Sequence, residues 1–391
     1  MQILYGYSNC TDKKYNEIFT DKKVAVLQPD QKYHGLLIKG LGKHAVDVQC
    51  FSGLPINRSV TNQLWISEPD EEENGVYYHY YNTFNIPLIR QLMIFFGGFF
   101  NVLKVKKDKN TYAICDCLNV ANSYGMALAC KLRKIPIVTI VTDLPDMLAG
   151  NSVIHKINNK IFGLFDGFIL LTEQMTEIVN KRKKPYIVLE GHVDHKLKAL
   201  DSVEKFEETL GKQVIVYAGS IQKLYGIQNL VEGFIQAELP NAELHIFGDG
   251  DYRDELLDVT QKNSNVKYMG ICSNEEVVKY EQQAMLLVNP RPIEPEYTKY
   301  SFPSKNMEYM VSGTPILTTK LPGMPKEYYP YVYLINDESP EGIAKMLCEI
   351  CRKDMKERQK KGESARMFVM ENKSNVKQAG RILHFMKEKL R

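Results

Sequence analysis

The sequence predicts an α/β protein of two Rossmann-like, doubly wound domains that face each other across a cleft. Three observations carry this. The chain has 391 residues, more than one hydrophobic core usually serves. Short β-rich runs alternate with helix-period segments, the pattern of a parallel sheet with right-handed crossovers. That alternation restarts near residue 213, beyond the joining segment GHVDHKL (191–197). The domains are expected at 1–192 and 193–373, with a C-terminal helix, 374–391, packing back on the first.

In chain order, the first half offers VAVLQ (24–28) as a strand, then a helix through Leu36 and Leu37, then AVDVQCF (45–51). EPDEEENG (68–75) reads as an acidic surface loop. Ile86 to Val105 is apolar, but Arg90 and Gln91 interrupt it. Ile89, Leu92, Met93, Phe96, Phe100 and Leu103 fall on one stripe, so it is an amphipathic helix rather than a membrane span. YAICDC (112–117) follows, then a helix with Tyr124, Ala127, Leu128 and Leu132, then IPIVTIV (135–141), FDGFILL (165–171) and PYIVLE (185–190).

The second half opens with QVIVYAG (213–219). Ile227, Leu230, Val231 and Phe234 then recur at i, i+3, i+4, i+7, which predicts a helix. ELHIFG (243–248), NVKYMG (265–270), AMLLVNP (284–290), TPILTT (314–319) and YVYLI (331–335) are its later strands. Ala379, Ile382, Leu383, Met386 and Leu390 share one face of the last helix.

Composition narrows the function. The 50 basic and 47 acidic residues leave a net charge of +3, which argues against a nucleic-acid partner. The local basic runs, Lys104 to Lys109 and Lys181 to Lys184, read first as solvated faces. Eight scattered cysteines offer no metal framework. Cys348 and Cys351 form a C-x-x-C, but Ile343, Met346, Leu347 and Ile350 around them have helical spacing, so both read as core thiols. No signal-peptide pattern is present in MQILYGYSNC, and a reducing cytoplasm is the expected compartment.

Candidate chemistry gathers at strand-to-helix junctions, where helix N-termini offer free N–H groups to phosphates. In AGSIQKLYGIQNL (218–230), Gly219 and Ser220 follow a strand, Lys223 supplies a cation and Gly226 opens a helix. IFGDGDYRDEL (246–256) and YMGICSNEEV (268–277) place Gly248 with Asp249, and Ile271 with Cys272, where backbone groups could pair with a nucleobase edge. In RPIEPEYTKYSFPSKNMEYMVSGTPILTT (291–319), a polar loop leads into a helix near Ser304. Ser301 and Ser304 are candidate caps, and Glu308, one turn in, can accept both protons of a ribose diol.

The order of these pieces resembles the family-4 glycosyltransferases (glycosyl transferases group 1) of GT-B architecture, over nearly the whole chain. AGSIQKLYG, IFGDGD and FPSKNMEYMVSGTPIL resemble the donor-domain turns and helix. CDCLNVANSYGMALACKLRKIPIVTIVTDLPDM resembles the N-terminal strand–helix–strand pattern. Glu190, Gly191, His192, Val193 and Asp194 stand where the family has its N-G-V-D linker, with one residue inserted.

The resemblance implies a retaining, metal-independent hexosyltransferase that uses a nucleotide-sugar as co-substrate and needs no cofactor. A UDP-sugar is favoured over a GDP-sugar. It implies a diphosphate turn at Gly219, Ser220 and Lys223, and base-contacting turns at Gly248, Asp249, Ile271 and Cys272. Ser301, Phe302, Pro303, Ser304 and Lys305 would form the phosphate-contacting helix start, with Glu308 on the ribose. Arg291 is a further candidate cation. Lys223, Asp143 and Glu308 are the candidate catalytic groups.

Two positions depart from the family. Tyr300 stands where its first glutamate would be, and Thr142 where its histidine precedes Asp143. A non-catalytic nucleotide-sugar-binding protein is therefore the alternative, and an isomerase or a phosphorylase on the same fold a further one. The acceptor is expected to be a glycan or lipid-linked sugar in polysaccharide or glycoconjugate synthesis. Residues 86–109 join an apolar stripe to a basic run, which either packs on the first domain's sheet or makes peripheral contact with the inner face of a membrane.

Overall fold

The computed structural model describes residues 1–19, 28–144, 160–197, 203–294 and 296–390. It divides into two compact units, Met1–Asp194 with Ser374–Arg391, and His195–Lys373.

The first unit is built on an eight-stranded sheet. Its strands are β1 (Gln2–Gly6), β2 (Asp47–Ser52), β4 (Glu71–Glu73), β5 (Val76–Tyr80), β7 (Thr111–Asp116), β8 (Ile137–Val141), β9 (Gly167–Leu170) and β10 (Tyr186–Val188). A separate antiparallel pair joins β3 (Trp65–Ile66) to β6 (Thr83–Phe84). The large sheet runs β10-β9-β8-β7-β1-β2-β5-β4, parallel except where β4 pairs antiparallel with β5. The strand order reverses between β1 and β7, the switch point of a doubly wound sheet. Helices α1 (Asp12–Phe19), α2 (Gln28–Gly42), α3 (Pro87–Lys104), α4 (Val120–Arg133) and α5 (Thr176–Val179) belong to this unit.

Four expectations change here. The central strand β1 is not among those anticipated from the pattern. Ile3, Leu4 and Tyr5 are fully buried, because both faces of a central parallel strand are covered and no alternation marks it. Of the expected strand 24–28, residues 24–27 lie outside the described residues, and Gln28 opens α2 instead. The acidic loop is in part the edge strand β4, turned onto β5 through Asn74 and Gly75, both at positive φ. Its acids have partners that lie far off in sequence. Lys14 of α1, itself buried, reaches Glu68 at 2.9 Å and Glu71 at 3.6 Å, and Thr11 donates to Glu71 at 2.7 Å. In α4 the buried face is Met126, Ala127, Ala129 and Cys130, whereas Tyr124 and Leu132 face solvent.

The second unit has six parallel strands, β11 (Gln213–Ala218), β12 (Ala242–Phe247), β13 (Val266–Gly270), β14 (Leu286–Asn289), β15 (Ile316–Thr319) and β16 (Tyr333–Ile335). They run β13-β12-β11-β14-β15-β16, with the switch point between β11 and β14. Its helices are α6 (Phe206–Thr209), α7 (Ile227–Gln236), α8 (Arg253–Lys262), α9 (Asn274–Gln283), α10 (Ser304–Ser312), α11 (Pro340–Cys351) and α12 (Met355–Asn372). Ile227, Leu230, Val231 and Phe234 of α7 are buried on the sheet as their spacing predicts. In α11, Ile343, Leu347 and Ile350 are buried, and burial pushes the Cys351 thiol up to about 12.

The chain then returns to the first unit as α13 (Asn375–Lys389). Ser374 caps it through the Lys377 N–H, and Ala379, Ile382, Leu383 and Met386 enter the first unit's core beside Leu37 and Ile38 of α2.

Candidate functional site

In the second unit, the carboxyl ends of β11, β12 and β13 interlock through backbone. The Gly219 N–H donates to the Phe247 carbonyl at 3.1 Å, Ile221 N–H to Asp249 O at 3.0 Å, and Gly248 N–H to Gly270 O at 2.8 Å. Gly248 has φ +126°, and a Cβ there would lie 1.8 Å from the Gly219 carbonyl oxygen. Only glycine lets these turns touch. Ser220 and Asp249 are exposed at this rim, with the Ser220 hydroxyl 3.5 Å from the Asp249 carbonyl. Ile271 is exposed, and the half-buried Cys272 thiol reaches the Met269 carbonyl.

The switch point brings β14 beside β11. Gly226, at φ +77°, opens α7, and a Cβ there would lie 2.3 Å from the Pro290 carbonyl. Arg291 follows Pro290, and its guanidinium lies 4.5 Å from the Tyr225 ring centroid and 5.7 Å from that of Tyr297. Burial raises the Tyr297 hydroxyl pKa, Arg291 partly opposing it, and that hydroxyl has no hydrogen-bond partner.

Helix α10 is anchored to the same corner. Tyr309, fully buried, donates to the Ala218 carbonyl at 3.0 Å and accepts from the Ala218 N–H at 2.9 Å. The Asn306 amide accepts from Asn289 at 2.7 Å and donates to Thr318 at 3.1 Å. These bonds fix the start of α10 against the ends of β11, β14 and β15. Tyr225, Tyr297, Asn306 and Tyr309 were not anticipated as site residues. Asn306 and Tyr309 lie three residues apart on one face of α10, but the strands they reach are set by the fold.

The cap of α10 is a correction. Neither Ser301 nor Ser304 caps it: the N-cap is Pro303, which has no side-chain donor or acceptor. Ser301 Oγ is buried without a partner, Phe302 is buried against Tyr328, and Ser304 is exposed. The first-turn N–H groups therefore receive no side-chain cap, which is the arrangement an anion exploits. Lys305 lies 3.3 Å from Glu308 one turn on, and both are partly exposed.

Lys223 is held by acids of the neighbouring turn and helix. Its backbone N–H donates to Asp251 at 2.8 Å, and its ammonium pairs with Glu255 of α8 at 2.5 Å. Both partners are about half exposed, so the pair is worth at most about 1 kcal/mol and exchanges readily. Arg291, two residues beyond β14, is a cation at the switch point. Asp143 belongs to the first unit, exposed just beyond β8, with Thr142 half-buried before it.

Residues 200–368 match the family model of glycosyl transferases group 1. No curated protein matches the sequence. Among solved structures, the chain is similar to Alr3699/HepE of Anabaena in complex with UDP, with a TM-score of 0.65, 14% identity and coverage of 99% of this chain and 100% of that one. It is similar to sucrose-phosphate synthase of Thermosynechococcus elongatus, with a TM-score of 0.66, 15% identity and 99% of each chain covered. The apo lipopolysaccharide outer core galactosyltransferase WaaB gives 0.62 at 15% identity, over 99% of this chain and 100% of that one. These likenesses show the GT-B fold, and the second unit carries a glycosyl transferases group 1 domain.

Proposed function

We propose that this chain is a hexosyltransferase whose second unit holds a nucleotide-sugar donor and whose first unit binds a glycan or lipid-linked acceptor. The observation that carries this is the corner at the β11–β14 switch point. There the start of α10, without a side-chain cap, and Arg291, held over Tyr225, stand beside interlocked glycine turns. Backbone N–H groups and a guanidinium together fit a diphosphate. Glu308 fits a ribose diol, and the turns at Gly248, Asp249, Ile271 and Cys272 offer edges to a base. Similar structures hold UDP and UDP-glucose, which favours a UDP-sugar over a GDP-sugar.

In this reading the bond from the anomeric carbon to the diphosphate breaks with its electron pair on the phosphate. An acceptor hydroxyl forms the new bond with retention and passes its proton to the departing diphosphate oxygen. Charge grows on the leaving group, so fixed cations and N–H dipoles stabilise the transition state more than the ground state. Arg291, Lys305 and α10 supply that field, with Lys223 as a further cation, and on this account no metal is needed. Asp143 is proposed as the polar group facing the acceptor.

The test is binding and hydrolysis across a panel of nucleotide sugars. Micromolar UDP binding with slow release of sugar from one donor supports the reading. Tyr300 and Thr142, in place of the expected Glu and His, favour a second one, a non-catalytic binding protein. Tight donor binding without turnover on any acceptor would select it.

A further inference from the structure

Helix α3 sits on the first unit by one narrow face. Arg90 donates to the Leu54 carbonyl and Asn101 to the Gly97 carbonyl, while Ile94, Gly98 and Val102 are buried. Gly98 rests on Asn122 and Met126 of α4, and a Cβ on Gly125 would come within 2.1 Å of the Phe95 carbonyl. The contact face is thus close-packed, small and partly polar.

The opposite face is apolar and open. Leu88, Leu92, Phe96 and Phe100 form one i, i+4 row, exposed by 81%, 59%, 49% and 50%, with Ile89 beside it at 43%. Of the apolar stripe read from the sequence, only Met93 and Leu103 are half-buried, so it does not pack on the sheet. The β3–β6 pair adds exposed Trp65 and Phe84, their ring centroids 4.8 Å apart, and the Phe84 N–H meets Met93 Sδ at 3.3 Å. No charge interrupts the row. A surface helix normally turns its charge outward, and an apolar patch of this kind marks an interaction site.

Basic residues gather at one end of the row. Lys104 closes α3, and Lys106, Lys107 and Lys109 follow, all exposed. Lys107 donates to the carbonyls of Arg133 and Lys134 at 2.8 and 2.9 Å, which brings the basic end of α4 to the same place. The acids nearby are Asp108, within the run, and Asp166, which is paired with Lys131. A second copy of this chain could cover the apolar row, but the cations of this end need an anionic partner. Among the described helices none is long and apolar enough to cross a bilayer.

We propose that this face binds an anionic lipid surface, with α3 lying flat over about 27 Å, its apolar row in the acyl boundary and the lysines on lipid phosphates. The experiment is co-sedimentation of the full chain with phosphatidylcholine vesicles, with and without phosphatidylglycerol, at low and high salt. Anionic vesicles should bind at least ~10-fold more protein than neutral ones, and high salt should abolish the difference. The double variant Leu92→Glu/Phe96→Glu should lose the binding while keeping its affinity for UDP by calorimetry, which separates a lost surface from a lost fold. Lys106→Glu/Lys107→Glu should lose the preference for anionic lipid. Equal capture by neutral and anionic vesicles overturns the proposal. So does a dimer, seen by analytical ultracentrifugation, that Leu92→Glu/Phe96→Glu dissolves while no vesicle is bound.

Discussion

The guanidinium of Arg291 lies 4.5 Å from the centre of the Tyr225 ring, joining the loop after β14 to the turn that opens α7. Lys223, two residues before Tyr225, instead pairs with Glu255. Arg291 thus brings a cation to the switch point from the loop after β14, besides Lys223 of the glycine turn.

Replacing Arg291 with Ala is expected to weaken UDP binding by about 1.5–3 kcal/mol, the range for hydrogen bonds to a charged group. Turnover should fall further, because the diphosphate gains charge as the glycosidic bond breaks. Lys223→Ala should cost less in both, since it first has to leave Glu255. Calorimetry and initial rates on the two variants decide the order, and a larger loss from Lys223→Ala would restore it as the principal cation.

Glu308→Ala should weaken nucleotide binding by about 1–3 kcal/mol if its carboxylate holds the ribose. Lys305 would lose its 3.3 Å partner in the same variant. A comparison of UDP with 2′-deoxy-UDP separates the two effects. The wild type should prefer the ribonucleotide, and the variant should bind both alike.

Gly248→Ala should destabilise the second unit, by about 1–3 kcal/mol from backbone strain at φ +126° alone. The added Cβ also has to push away the Gly219 carbonyl, so both turns shift and UDP affinity falls with stability. Chemical denaturation alongside calorimetry checks this, and unchanged values for both would show that the turns have room.

His192 gives a pH dependence. Burial pushes its imidazole down to about 4, while its Nε2 bonds the Tyr33 carbonyl at 2.8 Å and its Nδ1 has no partner. The neutral ring belongs to the folded state, and the unfolded ring titrates near 6.5. Unfolding thus takes up a proton between these values. The stability contribution is full above about pH 6.5, falls as the pH drops, and is gone below about 4. Because the residue is only half-buried by surface area, the change stays under about 3 kcal/mol. Urea midpoints at pH 7 and pH 5 should differ, and His192→Phe should flatten the difference.

Much of the architecture is set locally. The second unit's strands follow from continuous β-rich apolar runs, and the α7 face from its i, i+3, i+4, i+7 spacing. The glycine turns at Gly219 and Gly248 and the Ser304–Glu308 segment were also readable, since strand ends followed by helices announce themselves in residue type.

What the tertiary structure decided depends on contacts between segments remote in sequence. β1 is the centre of its sheet, yet its five residues show no alternation, and the strands that flank it are set by the fold. The acids at 68–73 look like a solvated loop until Lys14 and Thr11 are brought against them. Periodicity shows that α3 has an apolar stripe but cannot say which side meets the protein. The close approach of Gly98 and Gly125 seats the small face on α4 and leaves Leu88, Leu92, Phe96 and Phe100 outside. The same holds for Arg291 and Tyr225, 66 positions apart in the chain, because a cation's partner is set by which strands are neighbours and not by the residues beside it.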